Sequence, residues 1–576
     1  MLGSAADPGD ASPPARRRPA AESELGFVRR PMVRWLDPHQ LMDTAIRVLV
    51  SGVFSSYADR RDLQALEPAE IPDRSRGREI WIDYVSDLGD GWNSTYTVAR
   101  LLAAADLKLD WEGEALSTER GRILVMGGDQ VYPVPKAAEY ENRLLGPYRC
   151  ALPAAPDDAP ELFAIPGSHD WYDGLVNFTS IFCHGHSIGG WRSTQRRSYF
   201  AVRLPAGWWL WGIDIQFGDF IDEPQVQYFA RAAEQFEPGD RVILCTAKHV
   251  DSGRKQAEVH SDRDVGYLER SIIRPAGASV ALNLKSGKHH YARYATADGS
   301  RHQVTAGGGG AFLHPTHTLP EELVLPGPSP ATAALRTTYP SAKVSRRLRK
   351  RIWLLPPYNL PLAALLGTVQ VLLAFMMGLH LHDGHRSLDL DGLRRGVWES
   401  PTAFVLILLM VVSLTAMVRF AHEARGMRRL LLGSVHSALQ LAGVAAVMIG
   451  ASHLASGTGL RGAWSLVSFL GLTFVLGGIG GTVGMSAYLW ATNLLGLHGN
   501  EGYAPLHHQD LKNFLRLRIG EDGALTVFPV GIDRVGRRWR LCPEAPDAAP
   551  WFAPVGPEPV PHLIEAPIRI AGRPRT

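Results

Sequence analysis

Four long apolar runs after about residue 345 constrain this chain more than anything else in it. They occupy 360–381, 402–420, 430–454 and 464–490. Each is close to the ~20 residues a helix needs to cross a ~30 Å hydrocarbon core. One such run could be a buried helix of a soluble domain; four in succession, separated by charged loops, predict a transmembrane bundle. Lys343, Arg346, Arg347, Arg349, Lys350 and Arg351 precede the first run. Arg425, Arg428 and Arg429 lie between the second and third, with Arg419 at the edge, while the last short loop carries only Arg461. Both termini are therefore expected in the cytoplasm, and the chain is expected as a multi-pass protein of the cell membrane. Arg16-Arg17-Arg18 is not followed by an apolar stretch, so no cleavable export signal is expected. Gly477, Gly478, Gly480, Gly481 and Gly484 predict close helix packing in the fourth run. His436 and Gln440 share one face of the third and read as interhelical contacts.

The chain has 576 residues, too many for one hydrophobic core. Residues 1–22, rich in Ala, Pro, Asp and Arg, are expected to be a disordered tail. An amphipathic segment follows at 23–77, with a helix candidate at 33–54. The soluble domain spans 78–345, the bundle 346–496, and a cytoplasmic β segment and tail 497–576. In the last, two β-rich runs flank Glu521-Asp522-Gly523, a hairpin signal. A net charge of +3 with no basic stripe gives no reason to expect a nucleic-acid partner. Cys150, Cys183, Cys245 and Cys542 are far apart and predict neither a disulfide framework nor a thiolate zinc site. Cys183-His184-Gly185-His186 reads as a loop.

Within 78–345, short β-rich runs alternate with helical ones, which predicts an α/β fold on a central sheet. Functional groups in such folds sit past the carboxyl ends of strands. The run 79–85 leads to Asp87 and Asp90, and 122–128 leads to Asp129 and Tyr132. The run 161–167 leads to Ser168, His169 and Asp170. The run 241–247 leads to His249, and 279–287 to Lys288, His289 and His290. Crowding these groups on one rim is costly unless a cation neutralises them, and the donor set suits iron, manganese or zinc. Arg192, Arg196 and Arg197 offer phosphate-binding guanidiniums or form a solvated basic loop. The Gly-rich stretch 306–317, with His314 and His317, either brings backbone close to the site or is a structural loop.

In order, "DLG" at 87–89, "GDQVY" at 128–132, "GSHD" at 167–170, "TAKH" at 246–249 and "GKHH" at 287–290 resemble the calcineurin-like metallophosphoesterases. The variant they resemble is the one seen in purple acid phosphatases, and the likeness covers roughly 78–312. It implies a four-layer α-β-β-α sandwich, here followed by the all-α bundle and the small hairpin. It also implies a metal centre that hydrolyses phosphate esters. By the resemblance, Asp87, Tyr132 and His290 hold a first metal and Asp129 bridges to a second, which His249 also holds. Ser168 and Lys288 stand where the family has Asn and His. Asp90, Ser168, Lys288 and His289 are candidate contacts to metal or substrate. His169, with Asp170 behind it, is the assisting imidazole. His289 could turn in for a lost ligand, but strand alternation would aim it to the opposite face.

The expected protein is a membrane-anchored, cytoplasm-facing phosphoesterase acting on a mono- or diester or a pyrophosphate. Its partners are a phosphorylated small molecule or lipid head group, and the membrane. It uses one tightly held divalent or ferric ion rather than two, with Lys288 in place of the second. The alternative is a catalytically degenerate phosphoesterase-like sensory or binding domain of a membrane protein.

Overall fold

The computed structural model describes residues 18–43, 46, 64, 70–156, 159–215, 221–247, 265–327, 330–377, 388–418 and 426–573. Two β-sheets lie face to face. In the first, Ile80–Val85, Ile123–Met126 and Glu161–Ala164 pair in parallel. In the second, Trp208–Ile213, Arg241–Thr246, Ser279–Lys285 and His302–Ala306 do the same. Antiparallel strands flank the second sheet: Phe200–Arg203 at one edge, and Tyr291–Thr296, Ala331–Tyr339 and Glu322–Leu325 at the other. All six residues of Ile80–Val85 and all six of Trp208–Ile213 are buried, because both faces of these strands are covered. Such strands read as unbroken apolar runs rather than alternating ones.

Ile82, Tyr84, Val125 and Phe163 of the first sheet pack against Leu210, Ile243, Leu282 and Val304 of the second. Each fully buried aliphatic or aromatic side chain of this kind contributes about 1.5–3 kcal/mol. The outer face of the first sheet packs Leu124, Met126 and Leu162 on the helix Trp92–Ala103. The outer face of the second packs Trp209, Trp211, Val242 and Leu244 on the helix Glu223–Ala233.

The C-terminal hairpin is not a separate appendage. Lys512–Ile519 lies antiparallel to Ile80–Val85, with Ile80 opposite Ile519 and Asp83 opposite Arg516. Leu525–Ile532 pairs with it, and Pro561–Leu563 and Ile568–Ile570 extend the sheet. Leu515, Leu517 and Val527 enter the core between the sheets. Arg516 and Asp83, both buried, form an ion pair at 2.8 Å. Residues 80–339 and 512–570 thus build one unit, interrupted by the helical region. At the other end of the chain, Arg18 donates to the carbonyls of Cys542, Pro546 and Ala549, which ties this part of the expected tail to the C-terminal segment. The rest of that tail, 1–17, and most of the helix candidate beyond residue 43 lie outside the described residues.

In the helical region, Gly426–Gly457 and Ala463–Leu494 are each long and apolar enough to cross a membrane. Two bent pairs, Ala342–Tyr358 with Leu360–Met376 and Leu390–Glu399 with Pro401–Thr415, raise the number of candidate spans to four. Leu360–Met376 packs along Ala463–Leu494, where Gly478 faces Ala363 and Gly477 faces Gln370. His436 and Gln440 contact each other at 3.3 Å, and the His436 ring stacks on Tyr488 of the neighbouring helix.

Candidate functional site

The loops after Ile80–Val85 and Ile123–Met126 are zipped together by their backbones. Asp87 N–H donates to Gly128, Leu88 to Asp129, Gly89 to Gln130, and Tyr132 back to Gly89. This ladder sets Asp87 and Asp129 side by side. Both residues take left-handed backbone, φ 57° and 50°, a conformation costly for most residues and most tolerable for Asp, Asn and Gly. The Tyr132 hydroxyl stands 3.1 Å from an Asp87 oxygen, 3.3 Å from an Asp129 oxygen and 3.0 Å from His289 Nε2. His289 Nε2 is 3.5 Å from Asp87. All four residues are buried.

Two glycines allow this approach. A Cβ on Gly167 would sit 2.2 Å from the Asp129 backbone nitrogen, and one on Gly307 would sit 2.5 Å from Asp87 Oδ2. The Gly-rich stretch therefore brings backbone against the site, as one of its two sequence readings had it. Asp129 Oδ1 accepts from His169 N–H at 2.9 Å and faces the Ser168 hydroxyl at 3.4 Å.

The structure places His289, not His290, in this cluster. Residues 287–290 form a bent loop ahead of the strand Tyr291–Thr296, so strand alternation does not govern them. The His290 ring is buried, and neither of its nitrogens hydrogen-bonds a described residue. Nδ1 of His289 lies 2.7 Å from the Phe312 carbonyl, which can only accept. That fixes the proton on Nδ1 and leaves the Nε2 lone pair facing Asp87 and Tyr132. Metal-bound imidazoles are oriented in this way.

Asp170 does not orient His169. Its carboxylate accepts from Gly167 N–H, Gln130 N–H and the Tyr140 hydroxyl, and so holds the loop that carries His169. Burial, then the nearby Asp129, pushes its pKa up to about 8. The Pro133 carbonyl, 2.8 Å from His169 Nδ1, positions the imidazole instead. Asp90 is likewise structural: its carboxylate accepts from Val33 N–H and Phe312 N–H. Arg192 is cross-strand from Glu161, at the start of the strand whose far end leads to His169, so it stands away from the site. Arg196 is exposed, and Arg197 is buried against Tyr199 and Tyr228. Lys288 is half-buried on the 287–290 loop. His249 lies outside the described residues.

Burial, then the Asp129 charge, holds the Asp87 carboxyl well above the usual carboxylate range. Burial and both carboxylates raise the Tyr132 phenol, while burial, then Lys512, keeps His289 neutral. Two buried carboxylates this close do not both ionise without a cation. Counting His, Cys, Asp and Glu alone, no group of three or more among the described residues is spaced to hold a metal ion. With the Tyr132 phenol included, the donors around Asp87 are two carboxylates, one phenol and one imidazole nitrogen with its lone pair turned inward, which suits iron, manganese or zinc.

Sequence reading missed three neighbours. Trp35 sets its ring edge-on to Tyr132, His169 and Phe312 at 5.9, 5.7 and 5.6 Å. Lys512, buried in the C-terminal strand, donates to the Ala311 carbonyl. Asn500 meets His314 Nε2 at 2.9 Å, and the His314 ring stacks on His289 at 3.9 Å. Each comes from a segment remote in sequence and carries no local motif.

No protein-family model and no curated protein matches the chain. Solved structures overlap part of it. GAP50, the anchor in the inner membrane complex of Plasmodium, is 12% identical, with 40% of this chain and 72% of that one covered, at TM-score 0.29. PhoD is 9% identical, with 43% and 59% covered, at 0.27. Purple acid phosphatase PPD1 from yellow lupin (Lupinus luteus) seeds is 11% identical, with 43% and 46% covered, at 0.24. Overlap this partial leaves the site to be judged on this chain's own side chains.

Proposed function

We propose that this protein is a membrane-anchored, metal-dependent phosphoesterase. The observation that carries the reading is the buried meeting of Asp87, Asp129, Tyr132 and His289, with His289 Nε2 turned toward Asp87 and the Tyr132 hydroxyl that joins the two carboxylates. Asp87, Asp129, Tyr132 and His289 would hold the ion. When bound, a divalent or ferric ion supplies a Lewis acid for a phosphoryl oxygen and lowers the pKa of a bound water. His169 keeps Nδ1–H on the Pro133 carbonyl, so Nε2 is the atom that can hold a proton at a leaving oxygen. Trp35, Tyr132 and Tyr172 pack on its ring and limit access of bulk water. Asp170 acts through the loop and never meets the phosphate.

His169→Ala should lower turnover of p-nitrophenyl phosphate with added manganese by ~10²–10⁴-fold and leave metal content unchanged. Unchanged turnover would show that the acid is elsewhere. Ser168 and Lys288 favour a second reading, a site that binds phosphate without hydrolysis. Metal-loaded protein that binds inorganic phosphate but turns over no ester would support it.

The strands before and after the helical region belong to one unit. A helical region inserted in this way leaves and returns on the same side of any membrane it crosses, so the number of crossings is even. With Lys and Arg concentrated before the first apolar run and between the second and third, that side is the cytoplasm. Reporter fusions at 390, 425, 458 and 520 should read outside, inside, outside, inside. A cytoplasmic signal at 458 with an external one at 520 would reverse the orientation.

A further inference from the structure

Resting on the phosphoesterase reading above, we propose that the phosphate the site acts on is carried by a membrane lipid. The rim of the site and the end of the helical region are adjacent residues of one strap. Trp35 touches Tyr132, His169 and Phe312. The next residue, Leu36, packs in a cluster with Ile352, Leu355, Leu362 and Leu489. Leu362 and Leu489 belong to the apolar helices Leu360–Met376 and Ala463–Leu494. Consecutive Cα atoms are ~3.8 Å apart, so the assisting imidazole lies within a few side chains of the apolar bundle.

A second set of contacts, independent of the strap, fixes the same geometry. The Gly-rich loop passes from the site to the helices that lead into and out of the bundle. His314 stacks on His289 and meets Asn500, just beyond the helix ending at Leu494. Thr316 N–H donates to the Ser345 hydroxyl, and His317 Nδ1 meets the same hydroxyl at 2.8 Å. The Tyr503 hydroxyl donates to the Ser345 carbonyl.

The side chains at this level are those of a membrane–water boundary. Trp353 and Tyr358 are exposed, and the Trp353 ring lies 6.0 Å from Trp490. Lys343, Arg346, Arg347, Lys350 and Arg351 are exposed beside them. Aromatic rings and cations mark the headgroup layer, and the cations favour anionic lipid there. That layer is roughly 5–7 Å deep on each face. A headgroup phosphate therefore lies at about the depth of the site while its acyl chains stay among the apolar helices. A water-soluble ester would gain nothing from this placement; a lipid gains local concentration by sharing the bilayer.

The test uses the full chain, loaded with manganese, in phosphatidylcholine nanodiscs. Three headgroup-matched pairs are compared: dioleoyl phosphatidic acid with glycerol 3-phosphate, phosphatidylglycerol with glycerophosphoglycerol, and farnesyl diphosphate with methyl diphosphate. Generic activity is followed with p-nitrophenyl phosphate. In at least one pair, kcat/KM for the lipid member should exceed that of its soluble counterpart by ~10²-fold or more. Soluble members turned over as well as or better than their lipids in every active pair would overturn the lipid assignment and leave the phosphoesterase reading standing. So would hydrolysis of p-nitrophenyl phosphate alone. No hydrolysis of any ester would instead count against the phosphoesterase reading on which the assignment rests.

Discussion

Asp129→Asn should lower phosphate-ester turnover by at least ~10³-fold and prevent metal from being retained. Asp129 is the hub of the site. One oxygen accepts from His169 N–H and faces Ser168, and the other faces Tyr132. An amide of the same shape can keep the His169 bond through its oxygen, so the fold should survive. What it removes is the negative charge. Because Asp129 also raises the Asp87 carboxyl, the metal-free variant should be no less stable than the metal-free parent. Activity and stability would then separate, as expected for a residue kept for chemistry rather than packing. Retained turnover with bound metal would remove Asp129 from the site.

Arg516→Ala should destabilise the two-sheet unit by about 3–5 kcal/mol. Arg516 and Asp83 are buried at 2.8 Å, and Asp83 also accepts from Gly121 N–H. Removing the guanidinium leaves an uncompensated carboxylate between two strands joined across the whole helical insertion. For a unit of this size, such a loss lowers the melting midpoint by about 5–8 °C. The paired change Asp83→Leu with Arg516→Leu should recover most of it, because no charge is left buried. A midpoint unchanged in Arg516→Ala would mean that the C-terminal strands do not complete the first sheet.

The strands of the parallel core were legible because doubly covered strands are continuous apolar runs, as in 79–85 and 241–247. Asp87, Asp129 and His169 were legible because each ends such a run at a turn. The partner sheet of the C-terminal hairpin was not legible: pairing of Ile80 with Ile519 spans the whole chain, and local pattern carries no such information. Strand alternation turns His289 to the far face, and it does not apply at 287–290, because the chain is bent there. Arg192 pairs with Glu161, at the opposite end of the strand from the His169 loop, a placement that a run of arginines does not carry. Trp35 lay in a segment read only for amphipathicity, and the strap it forms emerges only from its tertiary contacts.

The metal content of the purified full-length chain tests the central claim most directly. Elemental analysis should find about one tightly held iron, manganese or zinc per chain, and none in the double variant Asp87→Asn with Asp129→Asn. Parent protein that retains no metal after loading, or a double variant that retains as much as the parent, would contradict the account.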